Sequence, residues 1–231
     1  MKIRYRFVLN GGGEKTFELR FDPKTLALQR DDKKTPPDWT RLDNEKCPNC
    51  PLSEAEHPHC PAALSLVDVI EEFKDGISFT EADISIMTEQ REFRRRAPLQ
   101  TGISGLIGVV MATSGCPILA KLRPMVATHL PFANIHETMY RAISMYLTAQ
   151  YFVYKKGRAP DWDMKDLVKI YDAISTVNRQ FSKRLRTIKI EDASLNALVS
   201  LDCFAAMTVD SIMDSSLQEI EGLFHAYLQD F

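Results

Sequence analysis

Hydrophobic and polar residues alternate with a period of two at the start of the chain, the pattern of a strand with one buried face. Residues 2–9, KIRYRFVL, alternate charged and apolar side chains, and residues 16–21, TFELRF, do so again after the triple glycine at 11–13. Two such runs around glycine predict a hairpin. After a turn at Asp22-Pro23-Lys24, the segment TLALQ at 25–29 predicts a third short strand.

Helical spacing first appears in PAALSLVDVIEEF, residues 61–73, and strand character returns in residues 77–96. From residue 102 helices dominate. In GISGLIG, the glycines at 102, 105 and 108 share one helical face, where small residues allow close packing. A helix beginning at Asn134 has Glu137 three residues on, a capping-box pattern, and is apolar nearly all round. We expect it to be the buried central helix.

Two later helices are amphipathic with matched spacing. Around 164–188 the apolar row contains one polar residue, and its members are Leu167, Tyr171, Ile174, Asn178, Phe181, Leu185 and Ile188. Around 211–228 the row consists of Met213, Leu217, Ile220, Phe224 and Tyr227. The first region is basic, and the chain after residue 189 has no basic residue. We therefore predict that the two helices pack together, within one chain or across a homodimer; the alternative is two solvated faces.

These patterns predict an α+β protein. Residues 1–100 form a small antiparallel β region that includes a cysteine-rich, metal-binding loop at 44–61. Residues 101–231 form a helical bundle. We expect the two parts to make one compact unit.

Composition narrows the function classes. The chain has 231 residues, 45% hydrophobic content and a net charge of -2, which allow a packed core and disfavour recruitment by nucleic acid or an anionic membrane. No run of about eighteen apolar residues occurs, and the charged N-terminus does not read as a signal peptide. We expect a cytoplasmic protein with reduced thiols, in which clustered cysteines indicate metal binding or catalysis rather than disulfides.

A dense group of cysteines carries the clearest chemistry. CPNCPLSEAEHPHC, residues 47–60, holds three cysteines and two histidines, and a fourth cysteine lies in TSGCP. Proline directly follows Cys47, Cys50, Cys60 and Cys116 but not Cys203. We predict that these four converge on one metal centre, and that Cys203 is a small core residue outside it.

The spacing suggests how each thiol is presented. Cys47 and Cys50 form a C-x-x-C, from which two thiolates can reach one metal. Pro61 and Pro117 occupy the first position of a helix, so that Cys60 and Cys116 would be N-caps. A thiolate at an N-cap faces unpaired backbone N–H groups and the positive end of the helix dipole, which lowers its pKa.

The sequence leaves the metal open. A [4Fe–4S] cluster takes four thiolates, and cysteine followed by proline is familiar at such clusters. Zinc is the alternative, although Pro51 disfavours the common zinc knuckle, which prefers glycine there. His57 or His59 could replace one cysteine, and this would favour zinc. The remaining interpretation is four unligated buried thiols in proline turns.

A second candidate site lies just downstream of Cys116. Polar groups in otherwise apolar helical sequence can line a pocket, and the candidates are Arg123, His129, His136, Glu137 and Arg141. The alternative is that they are satisfied structural side chains.

The segments CPNCPLSEAEHPHCPAAL, SGCP and LRPMVATHLPF resemble an uncharacterised family of bacterial proteins catalogued as a domain of unknown function. The resemblance spans most of the chain. It implies that the Cys-Pro set at Cys47, Cys50, Cys60 and Cys116 is a family pattern, and it implies no activity, substrate or fold.

Two function classes follow. In the first, an iron–sulfur centre has a redox or small-anion-binding role, and Arg123, His129 and His136 bind a redox or protein partner or a small anion beside it. In the second, zinc staples the β region to the bundle in an interaction or adaptor protein without catalysis. Whether the protein is an enzyme stays open, since no nucleophile–base pair or paired carboxylates indicate hydrolysis.

Overall fold

Four antiparallel strands form one sheet in the computed structural model, which describes residues 1–30, 35–213 and 218–229. The strands are β1 (Lys2–Leu9), β2 (Glu14–Arg20), β3 (Glu81–Thr88) and β4 (Glu92–Pro98), in the order β2-β1-β3-β4. β1 is central and pairs with both β2 and β3. The predicted hairpin and the predicted return to strand character are thus confirmed.

Alternation along β1 sets the two faces of the sheet. Ile3, Tyr5 and Phe7 are fully buried, whereas the charged residues between them are exposed. On the outer face Arg4 pairs with Glu18 at 3.0 Å and Arg6 with Glu14 at 2.7 Å. Such exposed pairs add little stability, so the inner face is what fixes the sheet against the helices.

The predicted third strand at residues 25–29 is wrong. Leu26 has a left-handed backbone with φ of 55°, which an extended strand excludes. An isolated bridge joins Phe21 to Leu28, and the N–H groups of Gln29 and Asp22 donate to the carbonyls of Arg20 and Ala27, but no ladder of a third strand forms among these described residues. The N–H of Leu28 donates instead to the carbonyl of Thr113 at 3.0 Å. The segment therefore runs along the end of a helix. The third strand of the sheet is instead β3, which pairs with the edge of β1 opposite to β2.

Eight α-helices follow in the described part of the chain: α1 (Pro61–Glu72), α2 (Leu99–Thr113), α3 (Arg123–Ala127), α4 (Ile135–Lys155), α5 (Lys165–Leu185), α6 (Ala193–Met213), α7 (Gln218–Glu221) and α8 (His225–Leu228). Short 3-10 helices occur at Asp38–Thr40, Leu119–Leu122 and Gly222–Phe224. The architecture is α+β, with the small antiparallel sheet contributed by the first hundred residues and mostly helices after it. None of the described helices is long and apolar enough to span a bilayer.

The central helix is α2 rather than α4. Most residues of α2 are buried, because it packs on the sheet, on α1 and on α6. α4 does begin with the predicted capping box at Asn134 and Glu137, but its second half exposes Tyr151, Phe152 and Tyr154. The wide apolar surface of α4 therefore predicted its burial wrongly.

A glycine sets the distance between α2 and the sheet. A Cβ on Gly102 would lie 2.5 Å from Cε1 of Phe7 and 2.8 Å from Cδ1 of Ile84, both fully buried side chains. A Cβ on Gly105 would meet only the Tyr5 hydroxyl, at an ordinary 3.4 Å. The close approach of helix and sheet thus depends on residue 102 much more than on residue 105.

Within one chain, the predicted packing of the 164–188 helix on a 211–228 helix is wrong for the described residues, and packing across a homodimer stays a prediction. α5 buries its apolar row, but its main partner is α6, and the Ser175 hydroxyl of α5 donates to Asp202 of α6 at 2.6 Å. Residues 211–228 do not form one helix: α6 ends at Met213, and the short α7 and α8 follow after residues 214–217, which lie outside the described residues together with the predicted position Leu217.

The end of the chain meets a different helix from the one predicted. Phe224 is 38% exposed and stacks on Tyr140 of α4, with ring centroids 6.3 Å apart. Opposite charge on two segments was therefore a weak guide to which of them pack together.

Gly102→Ala should destabilise the protein by about 1–3 kcal/mol, because the new methyl group overlaps two buried side chains. Gly105→Ala in the same helix is the matched control. It should be neutral or stabilising by up to about 1 kcal/mol, since alanine favours helix and meets no clash. Urea unfolding of both variants measures the difference, and equal effects would show that Gly102 does not set the helix–sheet distance.

Candidate metal centre

The C-x-x-C segment forms a tight turn that is anchored to α5. The N–H of Cys50 donates to the carbonyl of Cys47 at 3.0 Å, which closes the turn. Between them, the side-chain amide of Asn49 donates to the carbonyl of Ala173 in α5 at 3.0 Å. A residue inside the motif thus fixes the turn to the helical part of the protein.

Cys60 is the N-cap of α1, as predicted, with Pro61 in the first turn of the helix. Its backbone is extended, and its N–H donates to the carbonyl of Thr40 at 2.8 Å. This bond holds the start of α1 against the 3-10 turn at residues 38–40. The sulfur of Cys60 makes no capping hydrogen bond of its own.

Cys116 lies in the connection after α2, beside the start of α1. The preceding Gly115 has a φ of +97°, and a Cβ placed on it would be 3.8 Å from Cβ of Pro61. The backbone N–H groups of Leu119 and Ile118 donate to the Cys116 thiol and lower its pKa, although burial has the larger, opposite effect. The predicted N-cap position of Cys116 and the predicted lowering of its pKa are therefore wrong: burial outweighs the N–H groups, and the 3-10 helix Leu119–Leu122 has Ile118 as its N-cap.

The four thiols influence one another. Burial raises the pKa of Cys47 to about 12, with further contributions from Cys60, Cys116 and Cys50 in that order. The thiols of Cys60 and Cys50 likewise help to raise the pKa of Cys116. Thiolates repel each other through space, so these effects mean that the four sulfurs lie near one another. Cys203, on α6, is exposed, so its predicted place in the core is wrong, and it does not contribute to these pKa shifts.

The sulfurs are near but not at the spacing of ligands to a single ion. All four cysteines are free and half-buried. In the described ranges, no three or more His, Cys, Asp or Glu side chains are grouped closely enough to hold one metal ion. Of the alternate ligands, His57 is exposed, and Nδ1 of His59 is bonded to the Thr40 hydroxyl at 2.8 Å.

A buried arginine lies beside the cysteines. Arg184 of α5 is 1% exposed, and its guanidinium donates to the backbone carbonyls of Trp39, Arg41 and Leu42. Its Nε has no partner, and its charge lowers the pKa of Cys47. The described residues include no carboxylate in an ion pair with it. Arg184 therefore holds the loop before the cysteines and places a positive charge next to them.

Sequence reasoning missed Arg184 because it was counted only as part of a basic surface. The sequence did contain a signal for its burial. Arg184 and Val177 follow helical spacing with Phe181 and Ile188, two members of the predicted apolar row. A cation within an apolar row is expected to find buried carbonyl or carboxylate partners.

The predicted pocket residues lie in several places. His129 and Arg141 line one cavity of about 470 Å³, where Nε2 of His129 is 2.6 Å from the Tyr5 hydroxyl. Arg123 instead donates to the carbonyl of Thr25 at 3.3 Å.

The other two predicted pocket residues belong to the first turn of α4. Glu137 forms the capping box, and His136 is exposed on the same turn. Of the five candidates, the structure thus brings His129 and Arg141 together around a cavity, and neither lies among the four cysteines.

Arg184→Met should lower the free energy of unfolding by about 2–4 kcal/mol, because three buried carbonyls lose a charged donor. The exposed Arg186→Met, two residues on, should change it by less than about 0.5 kcal/mol. Urea unfolding followed by circular dichroism compares them. Similar values for the two variants would contradict the anchoring role of Arg184.

His129 should make the folded state sensitive to acid. Burial, and secondarily Arg141, lowers its pKa to about 4, so the folded protein favours the neutral ring. Its stabilising contribution is complete above the usual pKa of about 6.5 and is lost as pH falls toward 4, by about 1–3 kcal/mol. In urea unfolding at several pH values, His129→Gln should lose this slope, whereas the exposed control His57→Gln should keep it. An unchanged slope in His129→Gln would refute the assignment.

Comparison with protein families identifies the chain. A family model described as a domain of unknown function, DUF6901, matches residues 3–225, a span that contains all four Cys-Pro cysteines and both cavity residues. This confirms the resemblance to an uncharacterised family. Comparisons with curated proteins and with solved structures find no match. The chain is a member of the DUF6901 family.

Proposed function

We propose that Cys47, Cys50, Cys60 and Cys116 ligate a [4Fe–4S] cluster and that the protein works through this centre. One observation carries the proposal: four half-buried thiols from three separate segments affect one another's environment, while Cys203 lies apart. Two neighbouring thiols are a common accident of packing. Four, each followed by proline, are better explained by a shared ligand.

Metal binding to these cysteines would require deprotonation of their thiols. Burial and mutual repulsion keep the thiol of Cys47 protonated at neutral pH in the absence of metal. Arg184 supplies one positive charge and cannot balance four thiolates. A metal centre supplies the remaining charge and displaces the thiol protons, so that its binding is coupled to proton release.

A cluster and a single ion require different spacings of the four sulfurs. A tetrahedral zinc site requires sulfurs about 4 Å apart, because each lies about 2.3 Å from the same ion. In a cube each sulfur binds a different iron, so the four stand farther apart. Pro51 also disfavours a standard zinc knuckle, because such a knuckle prefers glycine at this position.

The surroundings suit a redox role. The Cys116 sulfur accepts hydrogen bonds from the backbone N–H groups of Ile118 and Leu119, and Arg184 lies beside Cys47. Hydrogen bonds to the sulfurs and nearby positive charge both stabilise the reduced, more negative form of a cluster and raise its reduction potential. A redox or protein partner is part of this proposal, since the centre would exchange electrons with it.

A structural zinc site is the second candidate. The observation in its favour is that the cysteines come from the loop before α1, the start of α1 and the end of α2, segments that one metal would cross-link. Such a staple contributes folding free energy directly. The protein would then act as an interaction or adaptor protein through its surface and not through the metal.

Purification without oxygen distinguishes the two candidates. We expect brown protein with broad visible absorption and about four iron and four sulfide per chain. Cys60→Ser and Cys116→Ser should lose iron, sulfide and colour together, and Cys203→Ser is the matched control that should keep them. Circular dichroism checks that each variant is folded.

The other outcomes are equally definite. About one zinc per chain, no sulfide and no visible absorption would replace the cluster with the zinc staple. Protein that binds neither metal after anaerobic reconstitution with iron and sulfide or with zinc would refute the metal centre. Loss of metal in Cys203→Ser but not in Cys60→Ser would refute the ligand assignment.

A further inference from the structure

A second feature of the fold is the cavity of about 470 Å³ that His129 and Arg141 line. Its walls come from α2, the segment from Leu119 to Thr138, α5 and α6, and they are mainly apolar. Gly105 and Gly108 form part of the α2 wall, so the helix backbone itself borders the space. A cavity of this size lies within the range of small-molecule sites.

Three buried polar side chains in this wall have no hydrogen-bond partner. Ser104 is 8% exposed, and Tyr171 and Asn178 are each 4% exposed. No described residue forms a hydrogen bond to any of their side chains. More than nine-tenths of buried polar groups in proteins are paired. The polar atoms of all three are outside the set of fully buried unpaired atoms in the described residues, so they face the accessible space of the cavity and are free to bind a polar guest.

The charged groups of the wall have one sign. Arg141 lines the cavity, its Nε is buried without a partner, and its terminal nitrogen donates to the carbonyls of Met125 and Thr128. Arg95 also lines it and lies over the ring of Phe132, 5.9 Å from the centroid. Within the described lining there is no Asp or Glu. An anion is therefore favoured over a neutral or cationic guest.

Arg141 and Tyr171 are close enough to act on one group. Both side chains line the same cavity, and each contributes to the shift in the other's pKa. Two backbone carbonyls hold the guanidinium in place, which means that little freedom is lost when it binds an anion. The planar fork of arginine matches a carboxylate, and a phenol donates well to the same oxygen.

We propose that this cavity binds a small amphipathic carboxylate, with its carboxylate on Arg141 and Tyr171 and its apolar body against Val109, Leu201 and Phe204. The buried hydroxyl and amide of Ser104 and Asn178 offer further polar contacts along the wall. This site is separate from the cysteines and does not depend on the metal centre. Leu119 lies between the cavity and the cysteines, because its N–H donates to the Cys116 sulfur and Leu119 also lines the cavity.

The test is calorimetric titration of the full chain, purified anaerobically, with a matched series of straight-chain probes. Octanoate should bind with a Kd at or below about 100 µM, and decanoate more tightly, because its longer body buries more apolar surface. Octan-1-ol and octylammonium should bind at least tenfold more weakly, since one lacks the charge and the other reverses it.

Tyr171→Phe is the decisive variant. It removes only an unpaired hydroxyl, so the unliganded protein should melt at the same temperature as the parent or higher. Octanoate binding should weaken about tenfold. Arg141→Gln should weaken it at least tenfold, and the exposed Arg158→Gln, which also removes one positive charge, should leave it unchanged.

Several results would overturn the proposal. Absence of heat and of any melting shift with octanoate and decanoate would mean that the cavity does not take this class of ligand. Equal affinity for octanoate and octan-1-ol would remove the role of the anion. Unchanged binding in Tyr171→Phe, or a lower melting temperature of that variant without ligand, would show that the hydroxyl is structural or outside the site.

Discussion

The contact between Gly102 and the inner face of the sheet is the constraint on which the rest of the structure depends. It brings the backbone of α2 against Phe7 and Ile84 more closely than any side chain at that position would permit. α2 then has the sheet on one side and α6 on the other. Its far end delivers Cys116, and its exposed glycine face borders the cavity. One close approach thus sets the positions of a candidate ligand and of a candidate binding wall.

The second constraint is polar. The chain from residue 35 to the start of α1 has little regular structure, so its backbone groups need partners from elsewhere. Arg184 supplies them for three carbonyls, and Asn49 ties the turn between Cys47 and Cys50 to α5. Both contacts come from α5. α5 packs on α6, and α6 packs on α2. The same three packed helices therefore fix the positions of both the cysteine-bearing loop and Cys116.

Sequence patterns predicted the features that depend on neighbouring residues. Alternation in β1 and β2, the capping box at Asn134 and the N-cap position of Cys60 are local, and all three are present. Partners distant along the chain were predicted poorly. Residues 25–29 had the composition of a strand, but a left-handed Leu26 and a bond to the end of α2 decide their path. The predicted partner of α5 was wrong because charge complementarity at exposed positions contributes little to which helices pack together. Within the sites, residue type identified the cysteines, but the positions of Arg184 and of the unpaired Tyr171 hydroxyl appear only once α5 is packed.

The two candidate sites share a short piece of backbone, and this gives their arrangement a physical consequence. The N–H groups of Ile118 and Leu119 are directed to the Cys116 sulfur, while Leu119 also borders the cavity. A ligand that shifts this 3-10 turn would change the hydrogen bonds to one sulfur, and such bonds tune the potential of a cluster. The coupling would be reciprocal, since a change in the centre that moves the turn must alter ligand affinity by the same factor. Zinc would transmit no electron-transfer signal by this route, because its charge is fixed. Ligand binding in the cavity can therefore affect electron transfer only if the metal centre changes its oxidation state.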